Sequence, residues 1–387
     1  MERVCLRDAL LLDPEAGAPS PGSLLLRDDR IEARLAPGER GPADARSESL
    51  GGRALAPGFL DLHYHGSLIF HDAAGFESSL AASSALLVRH GTTAFLATTV
   101  AWGAGELARK VEALAAVVTR GGFPGAAPIG IHLEGPWLAP DAAGAQPAGA
   151  IRGYDAAEGN EVLARGRGAI RMLTLAPEVD GAASLLEALG REGVLAALGH
   201  SRAGPAQIEA AIEGGARHVT HLLNAMAPLH HREPGLAGAA LADERLTCDL
   251  ICDGAHLHPQ VVRVAARALG ERLILITDRI EPELGGDAAR SFGSGPLRDD
   301  GVALRLADGR LAGSRVTLEL ALRNVQRFAG LLLLEAVAAC TLRPALRLGI
   351  ERERGTLRPG ARADFAVLAA DGSLHSTWIG GKPVYRA

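Results

Sequence analysis

The chain has 387 residues, of which 48% are hydrophobic and 22% are charged, and its formal net charge is −5. This length exceeds the needs of one small core and suits a large barrel with an accessory domain. The negative balance argues against a nucleic-acid partner, whose binding requires a basic stripe. Any attraction for an anionic ligand must therefore be local.

The N-terminal residues carry acids and arginines and lack the apolar core of a signal peptide. No uncharged apolar stretch reaches the roughly 18 to 20 residues that cross a bilayer. These features predict a cytoplasmic protein with no membrane partner. The four cysteines, Cys5, Cys248, Cys252 and Cys340, do not form a disulfide framework in a chain of this size, and we expect Cys248 and Cys252 to be buried thiols of the core.

Short extended segments separated by turn residues occupy both ends of the chain, residues 1–56 and 359–387. Asp371-Gly372 and Gly380-Gly381 are typical turn pairs between such segments. We therefore predict that the two ends of the chain form one small β-sandwich domain, in which the termini meet. Residues 57–358 then form the second expected domain.

Within residues 57–358 a strand pattern followed by an alanine-rich helical pattern repeats along the chain. The eight candidate strands are 58–62, 94–98, 128–133, 170–175, 194–198, 218–221, 246–251 and 273–277. This alternation predicts the α/β class and a parallel (β/α)8 barrel of the TIM type. A doubly wound sheet is the alternative, but it is expected to have a glycine-rich phosphate loop after its first strand. The chain has Asp61-Leu-His-Tyr-His-Gly66 there.

Polar side chains follow the candidate strands at the ends where barrel enzymes carry their catalytic groups. The first strand ends in His63 and His65, which strand alternation sends to one side, as chelation of one ion requires. Other strands end in Glu134, His200, His221 and Asp278. Five strand ends that present His, Glu or Asp in barrel order predict a metal-dependent active site.

The chain contains only two lysines, Lys110 and Lys382, and neither lies at the end of a candidate strand. Many binuclear barrel hydrolases bridge their metals with a modified lysine from the fourth strand. Its absence disfavours lysine-bridged chemistry and leaves Glu134 as the natural anionic ligand or bridge.

The segment from His221 to Gly235 combines a histidine with Asn224 and Arg232. Histidine supplies a neutral nitrogen ligand, and the planar fork of arginine matches carboxylate or phosphate oxygens. The pattern favours a metal ligand beside an anion pocket, although a polar loop with surface histidines has the same composition.

Several motifs occur in order along nearly the whole chain. They are Pro57-Gly-Phe-Leu-Asp-Leu-His63, His132-Leu-Glu-Gly-Pro-Trp137, Gly199-His-Ser201, the segment 220–235, Asp253-Gly-Ala-His-Leu-His-Pro259, Thr277-Asp278, Leu311-Ala-Gly-Ser314 and Gly360-Ala-Arg-Ala-Asp-Phe365. In these motifs the chain resembles the N-acetylglucosamine-6-phosphate deacetylases of the amidohydrolase superfamily. The segment 220–235 is the most specific of them.

The resemblance implies hydrolysis of the acetamide of N-acetylglucosamine 6-phosphate to glucosamine 6-phosphate and acetate. A metal-bound hydroxide would be the nucleophile, and Asp278 would act as general base and then acid. The resemblance makes Glu134, His200 and His221 the primary metal ligands and gives His63 and His65 a second site. We expect a divalent metal, Zn²⁺ before Fe²⁺, with one or two ions per subunit, in a homodimer.

The resemblance also assigns substrate contacts. Arg232 and His256, with the backbone at Asn224 and Ala225, would form the phosphate pocket, and Arg232 would come from a neighbouring subunit. The expected substrate-binding residues are Ala145, Gln146, Asn224, Ala225, Arg232, Asp253, Gly254, Ala255, His256, Leu311, Ala312 and Gly313.

The chain departs from the family pattern at two places. Gln146 stands where members commonly have a histidine that contacts the N-acetyl region, and the charged segment 279–283 follows Asp278 where members have small residues. We expect this segment to be able to reshape the sugar pocket. Two alternatives stay open. One is a deacetylase of another N-acyl substrate, such as N-acetylgalactosamine 6-phosphate, and the other is a catalytically silent amidohydrolase-like binding protein.

Overall fold

A computed structural model describes residues 2–286, 291–292 and 295–387 of the chain. The chain begins with the strands β1 (Arg3–Leu11), β2 (Ser20–Arg27), β3 (Arg30–Leu35), β4 (Arg46–Ser49) and β5 (Ala54–Pro57). Antiparallel pairing joins β1 to β2 and β2 to β3. Strand β1 also pairs in parallel with β4 and β5, so the N-terminal sheet branches at β1.

The next eight strands are parallel and neighbour one another in chain order. They are β6 (Phe59–Gly66), β7 (Thr92–Thr98), β8 (Ala127–Glu134), β9 (Ile170–Leu175), β10 (Leu195–Leu198), β11 (His218–Val219), β12 (Thr247–Ile251) and β13 (Leu273–Ile276). Each overlaps one of the eight strands expected from the sequence. The prediction of an α/β barrel is confirmed.

Helices connect these strands on the outside of the barrel. They are α1 (Phe76–Leu87), α2 (Ala104–Arg120), α3 (Ala156–Gly166), α4 (Ala182–Glu192), α5 (Pro205–Glu213), α6 (Gly235–Ala242) and α7 (Pro259–Leu269). In α7 the buried residues are Val262, Ala265, Ala266 and Leu269, a spacing of three and four that places them on one helical face. Such amphipathic faces cover the sheet and leave the strands buried on both sides.

The barrel closes where the chain turns back from β13 to β6. The backbone nitrogen of Asp278 donates to the carbonyl of His63 at 2.8 Å. The hydroxyl of Thr277 donates to the carboxylate of Asp61 at 2.6 Å. The chain continues through β14 (Arg279–Ile280), β15 (Ser291–Phe292), β16 (Gly295–Pro296), β17 (Arg298–Asp299), β18 (Ala303–Arg305) and β19 (Leu311–Ser314). Strand β14, which follows the last barrel strand β13 in the chain, pairs with β6 on one side and β19 on the other. The ends of the first and last barrel strands therefore meet.

The C-terminal part returns the chain to the first sheet. It contains α8 (Leu318–Ala329), α9 (Leu333–Cys340), α10 (Leu342–Leu348), β20 (Phe365–Leu368), β21 (Leu374–Ile379) and β22 (Lys382–Arg386). Strand β20 pairs with β5 and unites both ends of the chain in one branched eight-stranded sheet. The predicted β domain built from both termini is confirmed, and its boundaries at 56/57 and 358/359 stay a prediction.

Each sheet has its own apolar core. The terminal sheet packs the fully buried side chains of Leu55, Phe365 and Trp378 into a cluster separate from the core of the barrel. The four cysteines are buried free thiols, which confirms the burial expected of Cys248 and Cys252. Within the described ranges, every helix is too short or too polar to span a bilayer.

The packing of β20 generates a prediction about stability. Phe365 is 0% exposed, so Phe365→Ala should lower the free energy of unfolding by about 3 to 5 kcal/mol. Val384 in β22 is 38% exposed, and Val384→Ala should change it by no more than about 0.5 kcal/mol. Urea unfolding of both variants measures the difference. Equal losses would show that β20 does not join the two ends of the chain as described.

Candidate active site

The carboxylate of Glu134, at the end of β8, lies among four histidine side chains. The Nε2 atoms of His200 and His221 lie 3.1 and 3.0 Å from its Oε1. The Nε2 of His63 lies 3.6 Å from the same oxygen, and that of His65 lies 3.5 Å from Oε2. The ends of β6, β8, β10 and β11 converge here, as expected for the carboxyl ends of parallel barrel strands.

These five side chains form two overlapping groups that could hold metal ions. One group is His63, His65 and Glu134, and the other is Glu134, His200 and His221. In each group the ligand atoms lie within 4.8 Å of one another, and all the residues are buried. Glu134 belongs to both groups, which is the arrangement of a bridging carboxylate.

Hydrogen bonds on the far side of two rings fix which nitrogen faces the site. The Nδ1 of His200 donates to the carbonyl of Ala142 at 2.9 Å, and the Nδ1 of His65 donates to the carbonyl of Thr98 at 3.2 Å. A carbonyl oxygen only accepts, so each Nδ1 carries the proton. The Nε2 of each ring therefore presents a lone pair to the site, as metal-binding histidines do.

The spacing of the nitrogens tests whether this donor set fits a cation. The Nε2 atoms of His200 and His221 are 3.1 Å apart, and those of His63 and His65 are 3.2 Å apart. Lone pairs this close repel one another and the nearby carboxylate unless a positive charge lies among them. The imidazole and carboxylate donors are those that a borderline divalent ion prefers, so the residues fit a metal.

The charges in the site reinforce this conclusion. Burial alone would lower the pKa of His63, but the carboxylates of Glu134 and Asp278 outweigh it and raise that pKa to about 9. Burial alone would raise the pKa of Glu134, but the neighbouring histidines, His63 above all, hold it well below the usual range. The carboxylate therefore stays ionised, and the site attracts positive charge.

Asp278 follows β13 and faces the same cluster. Its Oδ1 lies 3.2 Å from the Nε2 of His65 and 3.4 Å from that of His63. Its backbone oxygen accepts from the nitrogen of Ser314 at 2.8 Å, which ties the residue to β19. Burial acts to raise the pKa of Asp278, but the charge of His63 outweighs it and lowers that pKa. Asp278 is therefore an ionised carboxylate at the edge of the cluster.

Backbone strain concentrates around this cluster. The described chain has eight non-glycine residues with positive φ, and five of them line or adjoin the site: His200, His221, Leu223, Ala225 and Asp278. Their φ values lie between 32° and 74°, a region that side chains other than glycine rarely adopt. Such strain persists only where surrounding contacts enforce it, and it is typical of functional sites.

A buried hydrogen-bonding carboxylate in the barrel, Asp249, supports the backbone of His221. Asp249 of β12 accepts from the backbone nitrogen of His221 and lies 3.0 Å from the Nε2 of His218. Sequence reasoning missed this carboxylate. The available signal was a charged residue in the middle of the otherwise apolar run 248–252.

The cluster forms the floor of a cavity of about 290 Å³. Eight of the twelve expected substrate-binding residues line this cavity: Ala145, Gln146, Asn224, Ala225, His256, Leu311, Ala312 and Gly313. They come from three separate loops and β19. The sequence motifs therefore converge on one space above the proposed metal ligands.

The other four expected substrate residues lie elsewhere. Asp253, Gly254 and Ala255 stand behind the wall, where Asp253 binds the Nδ1 of His256 at 2.6 Å and accepts from two backbone nitrogens. Arg232 is exposed outside the cavity of its own chain. Its guanidinium makes no hydrogen bond or ion pair with the part of the chain that the structure describes.

Four cavity residues were not expected from the sequence: Gly144, Leu223, Phe292 and Arg310. Arg310 donates to the carbonyl of Gly144 at 2.6 Å and pairs with Asp308 at 2.7 Å. It brings a cationic guanidinium to the wall of the cavity that His256 also lines. Its position directly before the Leu311-Ala-Gly motif was the signal that could have revealed it.

The charged segment after Asp278 does not enter the cavity wall described here. Arg279 pairs with Glu281, and Arg315 pairs with Glu281 at 3.1 Å and with Glu283 at 2.9 Å. Burial raises the pKa of Glu281 to about 7, against the opposing charge of Arg279. The charges are thus satisfied among themselves beside β14, and the expected effect on the sugar pocket is not seen.

Comparison with known proteins places this geometry in a family. The model of the Amidohydrolase family matches residues 54–384, most of the chain. The chain belongs to the amidohydrolase family. Together with the two His and Glu groups, this membership implies a divalent metal.

The similar proteins are named as deacetylases of N-acetylated amino-sugar phosphates. The chain is 36% identical over 364 residues to N-acetylglucosamine-6-phosphate deacetylase of Homo sapiens, covering 90% of this chain and 87% of the relative. It is 35% identical over 333 residues to N-acetylgalactosamine-6-phosphate deacetylase of Escherichia coli O157:H7, covering 85% and 87%. A solved mutant N-acetyl-D-glucosamine-6-phosphate deacetylase of Mycobacterium smegmatis, in complex with N-acetyl-D-glucosamine-6-phosphate, matches with a TM-score of 0.86 at 34% identity, covering 99% and 100%.

Gln146 occupies an unexpected place in this amidohydrolase site. Its side-chain nitrogen donates to the Oε2 of Glu134 at 2.5 Å, and its oxygen accepts from the backbone nitrogen of Ala101 at 2.8 Å. Both ends of the amide are therefore held. Gln146 fixes the orientation of the carboxylate that the two metal-binding groups share, besides lining the cavity.

This contact predicts an effect of Gln146 on metal binding. Gln146→Ala should weaken Zn²⁺ binding by about ten- to a hundred-fold, because Glu134 loses the partner that orients it. Competition with a chromophoric chelator measures the affinity. Gln260→Ala is the control, since Gln260 is exposed on α7. Equal affinities of the Gln146 variant and the wild type would contradict the orienting role.

Proposed function

We propose that this amidohydrolase removes the acetyl group from N-acetylglucosamine 6-phosphate with the help of Zn²⁺, giving glucosamine 6-phosphate and acetate. The observation that carries the proposal is the position of ionised Asp278 beside the shared Glu134 cluster, at the floor of a cavity that also contains His256 and Arg310. The relatives from Homo sapiens and Mycobacterium smegmatis are both named as N-acetylglucosamine-6-phosphate deacetylases, and this similarity supports the substrate class.

The metal would be held by Glu134, His200 and His221, with His63 and His65 available for a second ion. A bound divalent ion supplies a coordinated water of lowered pKa, from about 15.7 to about 7, and polarises the acyl carbonyl. The hydrogen bonds to the carbonyls of Ala142 and Thr98 already direct the Nε2 atoms of His200 and His65 toward the position that the ion would occupy.

Asp278 supplies the proton transfers. Hydrolysis joins one water to the amide, breaks the C–N bond and needs a proton on the departing amine. Because its pKa is lowered, Asp278 is ionised near neutral pH and can accept a proton from the water. It can then deliver that proton to the amine nitrogen. Its backbone bonds to His63 and Ser314 hold the carboxylate in place between these two transfers.

The phosphate would bind at the far wall of the cavity. Asp253 holds the Nδ1 of His256, which leaves Nε2 for a phosphate oxygen. The strained loop at Asn224 and Ala225 offers backbone groups to the same space. Binding energy gathered there, away from the reacting bond, positions the acetamide over the metal cluster.

A second candidate substrate is N-acetylgalactosamine 6-phosphate. The relative of Escherichia coli O157:H7 with that substrate in its name is 35% identical to the chain, which is as similar as the glucosamine-type relatives. The two sugars differ only in the orientation of one hydroxyl. Comparison of kcat/KM for both phosphates, with acetate release as the measurement, decides between them. A silent binding protein would release no acetate from either.

The role of Asp278 yields a direct test. Asp278→Asn should lower kcat by about 10²- to 10⁴-fold, because the amide side chain cannot accept a proton. Its zinc content should stay near that of the wild type, as measured by mass spectrometry. Asp44→Asn, at an exposed position, should change neither value. A variant of Asp278 with more than about a tenth of the wild-type rate would refute the proton-transfer role.

We also propose a homodimer in which each Arg232 reaches the phosphate pocket of the partner. Support comes from the exposed Arg232, whose guanidinium makes no hydrogen bond or ion pair with the described residues of its own chain, and from the neighbouring Leu229, which is 51% exposed. The apolar groove at Ile208, Ile212 and Pro234 lies on the same side of the molecule. Large exposed apolar side chains beside a groove are typical of a surface between subunits.

Mixing two inactive variants tests this arrangement. Arg232→Ala and Asp278→Asn should each be poorly active alone. Refolded together, they should regain activity, because a mixed dimer combines an intact Asp278 with the Arg232 of the other subunit. Sedimentation should give twice the 40.0 kDa chain mass. No recovery in a mixture that forms dimers would show that Arg232 does not cross the interface.

A further inference from the structure

A second polar cleft lies at the opposite end of the barrel from the proposed metal ligands. Its wall includes Arg171 near the start of β9, residues 194–196 at the start of β10, Arg217 just before β11, and Arg347 with Leu348 at the end of α10. The cleft has a volume of about 220 Å³. It is separate from the cavity above Glu134, because the same strands carry that cavity at their other ends.

Three arginines in this wall are bound only to backbone carbonyls. Arg171 donates to the carbonyl of Leu348 at 3.0 Å, and Arg347 donates to the carbonyl of Arg217 at 3.1 Å. Arg217 donates to the carbonyls of Ile212 and Ala216. Within the described ranges none of the three pairs with a carboxylate, whereas Arg310 in the wall of the active cavity pairs with Asp308. The cleft therefore concentrates uncompensated positive charge in a chain whose net charge is −5.

A second, independent observation indicates that Arg347 lacks a hydrogen-bond partner for one of its donors. Its Nε is buried and has no hydrogen-bond partner in the described structure. A buried donor without an acceptor is unfavourable, and native structures rarely contain one. Burial and the charge of Arg217 also lower the pKa of Arg347, which records repulsion between the two guanidinium groups. An anion in the cleft would relieve the repulsion between the guanidinium groups of Arg217 and Arg347.

We propose that this cleft binds a small anion through a phosphate group, either inorganic phosphate or a phosphate monoester. Phosphate matches the planar donor forks of several arginines and carries enough charge to neutralise them. The volume admits a small molecule, and the apolar residues Val194, Leu195 and Leu348 can contact its carbon skeleton. The bound anion would connect α10 with the strands β9 and β11.

Thermal unfolding of the metal-loaded, full-length protein tests the site. The unfolding temperature is measured in chloride buffer during titration with inorganic phosphate, and separately with glycerol 3-phosphate. Phosphate should raise the unfolding temperature of the wild type in a saturable way, because it binds only the folded chain. A lower half-saturating concentration for glycerol 3-phosphate identifies a monoester site, and equal values identify a free phosphate site.

Variants separate this cleft from the active cavity. Arg347→Gln should raise the half-saturating phosphate concentration by about ten- to a hundred-fold, the loss expected for one charge-assisted bond. Arg40→Gln removes an equal charge at an exposed position and should leave it unchanged. His256→Gln removes the phosphate contact proposed for the active cavity, so the saturable stabilisation that this variant retains is the part that the cleft supplies. In chloride alone, Arg347→Gln should unfold at the wild-type temperature or above it, because repulsion with Arg217 is gone.

Two results would overturn the proposal. One is a wild-type protein whose unfolding temperature does not respond to either ligand. The other is an Arg347→Gln variant that keeps the wild-type response. If Arg347→Gln does not fold, Arg171→Gln is used in its place with the same expected loss, since Arg171 lies in the same wall. The activity of the wild type does not enter these measurements, so their outcome is independent of the proposed deacetylation.

Discussion

The crowding of acceptor groups around Glu134 is the constraint on which the rest of the site depends. Four imidazole rings each place an Nε2 atom 3.0 to 3.6 Å from an oxygen of the ionised Glu134 carboxylate. Such a concentration of acceptors requires positive charge among them, and the imidazole and carboxylate donors suit a divalent cation. The hydrogen bonds to Ala142 and Thr98, the support from Asp249 and the contact of Gln146 all serve to hold these acceptors together.

Closure of the barrel determines where the proton-transfer group can stand. Asp278 occupies the junction at which β13 returns to β6, and its backbone is bonded to His63 on one side and Ser314 on the other. The junction forces Asp278 into a left-handed backbone conformation, with φ of 49°. The cost of that conformation is offset by the two strands that enclose it. The bonds that close the barrel therefore also aim the carboxylate at the metal cluster.

The two ends of the barrel carry side chains of different chemistry. At the carboxyl ends of the strands, carboxylates and imidazoles converge, and the proposed reaction takes place there. At the amino ends, Arg171, Arg217 and Arg347 converge without a carboxylate among the described residues. The same strands β9, β10 and β11 connect both groups. A parallel barrel thus presents cation-binding and anion-binding surfaces about one strand length apart.

The sequence by itself determined the barrel and the terminal β domain, and it indicated the histidines and carboxylates that meet around Glu134, because strand periodicity is a local property of the chain and parallel barrel strands bring their carboxyl ends together. Only the tertiary structure decided that Gln146 binds Glu134, that Arg310 joins the cavity wall, and that Arg232 lies outside it. Arg310 meets Gly144 across 166 positions of sequence. Contacts of this kind depend on the path of loops between strands, which hydrophobic periodicity does not encode.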